Sequence, residues 1–114
     1  MSTAMWVVYL MFLHWMADFV MQSDEMAQKK AVEWEWLFAH CSVYYVVFAI
    51  GTLNPVYGVV LGLIHYPVDF ITSRKNRDLW SRGETHWFFV NVGFDQFIHL
   101  LTIVLLGVKM GLFK

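Results

Sequence analysis

The stretch WLFAHCSVYYVVFAIGTLNPVYGVVLGLIHYPV, residues 36–68, contains no Asp, Glu, Lys or Arg. An α-helix rises about 1.5 Å per residue, so about 18–20 residues cross the hydrocarbon core of a bilayer. The stretch is long enough for two crossings. Asn54-Pro55 divides it, because asparagine favours a helix cap and proline the first position of a new helix. The sequence therefore predicts a transmembrane helical hairpin.

The rest of the chain has the same apolar character. Of its 114 residues, 59% are hydrophobic, 18% are aromatic and only 15% are charged, against about 25% charged in a typical soluble domain. Two further apolar segments flank the hairpin, which predicts an all-α fold, a four-helix transmembrane bundle in a single domain, residues 1–114. The predicted spans are residues 4–21, 36–53, 55–73 and 86–108.

Two polar loops, residues 22–35 and 74–86, connect the spans at one end of the predicted bundle. We expect a short surface helix in the first and an irregular second loop. The loops hold six of the eight basic residues of the chain: Lys29, Lys30, Arg74, Lys75, Arg77 and Arg82. Basic loops stay in the cytoplasm, so we expect both loops there and both termini outside.

Seven Asp and His residues lie inside the predicted spans, apart from His86 at the boundary of the second loop. An ionisable group at the centre of a bilayer costs at least a few kcal/mol, so each is a candidate functional residue. They are His14, Asp18, His40, His65, Asp69, Asp95 and His99.

Six of the seven form pairs spaced four residues apart, which places both members on one helix face: His14/Asp18, His65/Asp69 and Asp95/His99. Because the spans alternate in direction, each Asp lies nearer the loops and its partner His lies deeper. The pattern predicts an Asp layer above a His layer, with His40 at the Asp level. The segments HWMADF (14–19) and HYPVDF (65–70) are also similar, which suggests two duplicated helical hairpins.

Carboxylate and imidazole groups bind Zn²⁺, the expected ion, or Mn²⁺ and Fe²⁺. One or two such ions would neutralise three neighbouring carboxylates, so all seven residues are candidate ligands. The candidate catalytic groups are Asp18, Asp69 and Asp95, and the groups expected to orient ligands are Gln22, Tyr44 and Gln96. Three alternatives stay open: polar contacts that only hold helices together, a proton or ion pathway, and haem held by two histidines, which leaves the Asp layer unexplained.

The same motifs resemble a family of bacteria and phages, domain of unknown function family 3307. Its pattern reads here as His14, Asp18, Phe19 and Gln22; His40 and Tyr44; His65, Asp69 and Phe70; and Asp95, Gln96 and His99. The resemblance covers nearly the whole chain and implies a four-span inner-membrane protein, without an activity. A weaker likeness is to small bacterial inner-membrane metal-dependent hydrolases.

These observations favour a metal-dependent hydrolase that acts on a lipid or lipid-linked phosphate near the cytoplasmic side. The basic residues Arg74, Lys75, Arg77 and Arg82 would attract an anionic headgroup, although such charges also orient membrane proteins. The alternatives are a metal-ion or proton translocator, and a non-catalytic, phage-encoded module that binds a host membrane protein. We expect membrane lipids as partners, pairing of protomers into a homo-oligomer as a further option, and no nucleic acid, since no basic helix or stacking platform is present.

Overall fold

The computed structural model describes residues 1–114, and it is all-helical as predicted. Helix α1 continues directly into a π-helical turn, here called the π turn. The elements are α1 (Thr3–Trp15), the π turn (Met16–Val20), α2 (Asp24–Lys29), α3 (Trp34–Thr52), α4 (Pro55–Ser81) and α5 (Thr85–Lys109).

The four long helices lie side by side. Helix α3 packs on α4, α4 packs on α5, and α1 packs on both α3 and α5. The short helix α2 lies against α3. The molecule measures 45 × 27 × 20 Å, and its long dimension is close to the 40–45 Å thickness of a bilayer with its headgroups.

The turn between α3 and α4 forms where the sequence predicts it. Leu53 ends α3 in the left-handed conformation, with φ 55°. The side chain of Asn54 then caps α4 by accepting a hydrogen bond from the Tyr57 amide, and Pro55 takes the first helical position. These residues satisfy amide groups that the first turn of a helix leaves without partners.

The predicted loop over residues 74–86 is wrong for most of its length, because α4 continues to Ser81. Residues 74–81 contain no Gly or Pro, and the ion pair between Arg82 and Asp78, 3.0 Å apart, supports the last turn. Gly83, with φ 72°, then provides the left-handed residue that ends such a helix. The expected short helix in the first loop is confirmed as α2.

Three segments are long and apolar enough to cross a membrane: Thr3–Val20, Pro55–Ser81 and Thr85–Lys109. Helix α3 has the length, with 19 residues, but Glu35, His40 and two tyrosines lower its mean hydropathy. Length and composition therefore indicate a membrane protein, and α3 is the one predicted span that they do not select.

The distribution of polarity differs from that in a soluble protein. Nine of the 25 buried residues are polar or charged. Large apolar side chains on three different helices, Phe12, Leu63 and Leu105, are each more than half exposed. Extended exposed apolar surface of this kind marks a membrane or protein interaction surface.

An apolar cluster fills the bundle at the end that holds the termini, here called the termini end. Its buried members come from all four long helices and the C-terminal segment: Leu10, Leu13, Ala17, Tyr44, Phe48, Tyr57, Leu61, Ile103 and Phe113. The ring of Phe113 stacks on Trp6, and the Thr3 hydroxyl donates a hydrogen bond to the Lys114 carbonyl, 2.7 Å away. The two termini are therefore held together. The opposite end, with α2 and the turn after α4, is called the loop end.

We expect Gly58→Ala to destabilise the fold, because a Cβ at Gly58 would lie 2.8 Å from both the Ala49 amide nitrogen and the Tyr45 carbonyl oxygen. These are backbone atoms of α3, so the two helices would have to separate, at a cost of about 1–3 kcal/mol. Titration with SDS in mixed micelles, followed by circular dichroism, measures the change. Gly93→Ala is the control, since its Cβ meets nothing within 4 Å and alanine is the better helix former. Equal stability of the two variants would contradict the close approach.

Candidate metal centre

Four buried side chains meet in the loop-end half of the bundle and form what is here called the primary cluster. Its members are Asp18 of the π turn, His40 of α3, and His65 and Asp69 of α4. The Nε2 atom of His40 lies 2.9 Å from Asp18 Oδ1 and 3.0 Å from His65 Nε2. It also lies 3.2 Å from Asp69 Oδ2. The Nε2 atom of His65 lies 3.6 Å from Asp18 Oδ1 and 3.3 Å from Asp69 Oδ2.

These separations are close to those in the ligand set of a tetrahedral metal site. Zinc binds imidazole nitrogen and carboxylate oxygen at about 2.0–2.2 Å, which places neighbouring ligand atoms about 3.3–3.6 Å apart. The five distances between the primary-cluster atoms run from 2.9 to 3.6 Å. Two nitrogens and two oxygens therefore surround one point at nearly the spacing that a small divalent ion requires.

The π turn carries the primary-cluster residue Asp18. In it the Met21 amide donates to the Met16 carbonyl, five residues back and 2.8 Å away. Asp18 nevertheless stays on the same side of the helix as His14, as the spacing of four residues predicts: His14 Nε2 lies 3.7 Å from Asp18 Oδ2. π turns are frequent at functional sites. Asp18 is a member of the primary cluster, whereas His14 is not among the residues whose ligand atoms meet there.

His14 instead belongs to a chain of hydrogen bonds that orients the carboxylates. The Tyr44 hydroxyl lies 3.0 Å from His14 Nδ1 and donates to it, and His14 Nε2 donates to Gln96 Oε1, 2.6 Å away. The Gln96 amide group then donates to Asp95 Oδ2 at 3.1 Å and lies 3.4 Å from Asp18 Oδ2. Tyr44 and Gln96 therefore both contact His14, and Gln96 connects it to two of the carboxylates.

A second group of ligand atoms, the secondary cluster, adjoins the first and shares Asp18 with it. It consists of Asp18, Asp95 and His99, whose ligand atoms lie within 4.8 Å of one another. The Thr72 hydroxyl donates to Asp95 Oδ1 at 2.6 Å, and the Asn91 amide group donates to the Thr72 carbonyl at 3.1 Å. Asp95 is thus fixed by α4 as well as by its own helix.

The histidine rings lie together below the carboxylates. His65 stacks on His99 with 4.1 Å between ring centroids, and Tyr44 stacks on His65 at the same distance. His14 lies 5.8 Å from His99. Rings packed this closely leave no space for a macrocycle between them, so the arrangement does not fit haem held by two histidines.

Lys30 reaches the primary cluster, although the sequence gave it only the role of a loop charge. Its Nζ lies 2.9 Å from Asp69 Oδ2, and the side chains are 13% and 4% exposed, respectively. Lys30 lies at the C-terminal end of α2. Its contact with Asp69 of α4 could not be predicted, because the spacing of residues along one segment says nothing about contacts between distant segments. Thr72 was also missed, because a hydroxyl residue in a span carries no distinctive pattern.

A cavity of about 670 Å³ opens beside both clusters at the loop end. Its walls include all three carboxylates, Asp18, Asp69 and Asp95, together with Gln22 and the basic residues Lys30 and Arg77. Aromatic side chains complete the lining: Phe19, Trp80, Phe88 and Phe89. The lining of the cavity therefore combines negatively charged carboxylates with two basic side chains and several aromatic rings.

The other three predicted headgroup-binding residues do not face this cavity. Arg74 lies over the Phe70 ring, 3.7 Å from its centroid. Lys75 and Arg82 line a different, smaller cavity of about 470 Å³. Their positions follow from the continuation of α4, which distributes residues 74–82 around a helix surface instead of gathering them in one loop.

The chain belongs to the family described as "Protein of unknown function (DUF3307)", whose profile matches residues 6–113. This match confirms the resemblance seen in the sequence motifs. No curated protein and no solved structure matches the chain.

We expect Lys30→Met to lower the free energy of unfolding of chelator-treated protein by about 3 kcal/mol, because it removes one partner of a buried ion pair and leaves Asp69 without its cation. SDS titration in mixed micelles measures the loss. Lys29→Met is the matched control, since that neighbouring lysine is exposed and pairs with Glu25 at the surface, where such pairs contribute little. A Lys30 variant as stable as the Lys29 variant would show that the ammonium does not stabilise the cluster.

Proposed function

We propose that this member of the family is an integral membrane protein that crosses the bilayer four times and carries a divalent-metal site in its loop-end half. We propose further that the site hydrolyses a phosphate ester of a lipid or a lipid-linked substrate. The observation that supports this most directly is the near-tetrahedral spacing of the four primary-cluster atoms, 2.9–3.6 Å.

Hydrogen bonding alone accounts poorly for the primary cluster. The Nε2 atom of His40 has three ligand-type neighbours within 3.2 Å, and a single ring N–H cannot serve all three. With neutral imidazoles, the three carboxylates face one ammonium group, Lys30, so negative charge remains in surroundings where it is costly. A divalent cation at the centre satisfies both the lone pairs and the charge.

The cavity suggests the kind of substrate. Lys30 and Arg77 supply positive charge near the clusters, and aromatic rings supply apolar walls. A molecule with a phosphate group on an apolar chain matches both features, and basic residues at the interface attract such headgroups. The same residues would hold the phosphate over the carboxylates that line the base of the cavity.

The proposed reaction is simple hydrolysis. A divalent ion would act as a Lewis acid on the phosphoryl oxygen and lower the pKa of the attacking water. The water oxygen forms the new bond to phosphorus, the bond from phosphorus to the lipid oxygen breaks, and a water proton passes to the departing lipid oxygen. The protein residues would position the reactants: Lys30 and Arg77 would hold the phosphate, and Asp18 and Asp69 would hold the ion.

Metal-ion or proton translocation receives less support from the fold. Beyond the histidine rings, the bundle interior passes into the apolar cluster of the termini end, where Phe48, Leu61 and Ile103 are almost completely buried. Ions would need polar groups along that half. A site that opens only toward the loop end suits a reaction at one face of the membrane.

The proposed orientation places the basic loop end in the cytoplasm and both termini outside a bacterial inner membrane. The contact between Thr3 and Lys114 supports an even number of crossings, and hence α3 as a fourth span despite its lower hydropathy. Membrane lipids would then surround the exposed apolar faces of the helices.

We expect purified protein in mixed micelles to release phosphate from phosphatidic acid or a polyprenyl diphosphate, with full dependence on an added divalent metal. Asp69→Asn should lower kcat by more than about 100-fold, since even groups that only orient ligands contribute up to that factor. Arg77→Gln should raise KM about fivefold with little change in kcat, which corresponds to about 1 kcal/mol of headgroup attraction. Release of inorganic phosphate provides the assay.

Arg82→Gln is the control for Arg77→Gln, because Arg82 pairs with Asp78 and faces the other cavity. It should leave both kinetic constants unchanged. Absence of metal-dependent phosphate release from both substrates would reject the hydrolase proposal. If wild type and Asp69→Asn nevertheless bound a membrane partner equally well, the hydrolase proposal would give way to that of a non-catalytic binding module.

The orientation can be tested with an impermeant maleimide on intact bacterial cells that express a Cys41→Ala chain. We expect Leu53→Cys, in the α3–α4 turn, to be labelled from outside. Glu84→Cys, at the loop end, should be labelled only after the cells are permeabilised. The reverse pattern would contradict the proposed orientation.

A further inference from the structure

We propose that the site is dinuclear: the secondary cluster of Asp18, Asp95 and His99 holds a second divalent ion next to the one in the primary cluster, and Asp18 bridges the two. This inference rests on the proposed function and extends it from one metal ion to a pair that clamps the phosphate.

The two oxygens of Asp18 point toward different groups. Oδ1 lies 2.9 Å from His40 and 3.6 Å from His65 in the primary cluster. Oδ2 faces the opposite side, 3.4 Å from the Gln96 amide nitrogen, which also donates to Asp95. A carboxylate divided in this way can serve one ion with each oxygen, and carboxylates commonly bridge metal pairs about 3.5–4 Å apart.

His99 supplies an independent indication of a ligand at the secondary cluster. The side chain is only 3% exposed, yet neither ring nitrogen has a hydrogen-bond partner. Buried polar groups in folded proteins are normally satisfied, so a fully buried imidazole with two unpaired nitrogens requires an explanation. Its Nδ1 lies 3.4 Å from Asp95 Oδ2, close to the spacing of two ligands on one ion.

The side-chain amide of Gln96 lies between the two carboxylates of the secondary cluster, where the second ion is proposed to bind. Its amide N–H group donates to Asp95 Oδ2 at 3.1 Å and approaches Asp18 Oδ2 at 3.4 Å. Two carboxylates that share a weak positive dipole in an apolar bundle would bind a cation in its place more strongly. A rotation of the Gln96 side chain, which is partly exposed, would vacate that position.

The charges indicate what a metal pair would bind. Two divalent ions and the Lys30 ammonium together outweigh the three carboxylates, if the imidazoles are neutral. The excess positive charge would face the cavity, where Arg77 adds to it. A dinuclear site therefore matches a phosphate monoester or diphosphate, whose oxygens can bind both ions as in other two-metal hydrolytic sites.

The test is to load purified protein in detergent with Mn²⁺, remove free ion, and measure the metal content and the EPR spectrum. We expect two Mn²⁺ per chain and an exchange-coupled spectrum from wild type. Asp95→Asn and His99→Gln should each retain one Mn²⁺ with an uncoupled six-line spectrum. His86→Ala, which changes a histidine outside both clusters, should behave as wild type, and size-exclusion chromatography with circular dichroism checks the folding of every variant.

One Mn²⁺ in wild type, unchanged in Asp95→Asn and His99→Gln, would overturn the dinuclear proposal and leave the proposed function in place. Two uncoupled ions, with the second retained in both variants, would place that ion elsewhere and also overturn it. Wild type without bound Mn²⁺, Zn²⁺ or Fe²⁺ would reject both proposals. The wild-type stoichiometry and the wild-type EPR spectrum together decide between these outcomes, even if a variant fails to fold.

Discussion

The structure depends on how a mostly apolar bundle accommodates three carboxylates in its interior. Each carboxylate loses favourable hydration when it is buried, and the three repel one another. The fold places positive and polar groups against two of them: the Lys30 ammonium on Asp69, the Gln96 amide on Asp95 and the Thr72 hydroxyl on Asp95. The distribution of polar residues across all helices follows from this one requirement.

Close packing of α3 against α4 sets the dimensions of the primary cluster. An added Cβ atom at Gly58 would lie 2.8 Å from two backbone atoms of α3, whereas one at Gly62 would just touch α3, at 3.4 Å. The helices approach closely at Gly58 because this residue lacks a side chain. Gly62 lies one turn from His65 on α4, and Cys41, whose carbonyl it faces, follows His40. The 3.0 Å separation of the two histidine Nε2 atoms is therefore a consequence of helix packing as well as of side-chain chemistry.

Much of the site could be predicted because its residues are chemically conspicuous in their segments. Asp and His in apolar helices stand out, and spacings of four residues place them on common faces, so six of the seven predicted ligands fall into the two clusters. His14 does not, although it lies 3.7 Å from Asp18, because both of its ring nitrogens are hydrogen-bonded, one to Tyr44 and the other to Gln96. The π turn was also not predicted, since nothing in MADFV distinguishes it from an α-helix. Lys30 was missed for a different reason: its function depends on where α2 folds back, a tertiary fact that local patterns do not contain.

The position of the polar groups along the bundle bears on the kind of chemistry that the fold can support. Residues one or two turns beyond the histidines on three helices, Phe48, Leu61 and Ile103, are buried and apolar, while residues on the other side of the carboxylates line the cavity. The tyrosine hydroxyl nearest the boundary, that of Tyr44, donates back toward His14, and the next, that of Tyr57, is bound to the Ile103 carbonyl at 2.6 Å. No hydrogen-bonded chain therefore links the two ends through these tyrosines. A site closed in this way is open at one end only, so a ligand would enter and leave through the cavity that Lys30 and Arg77 line.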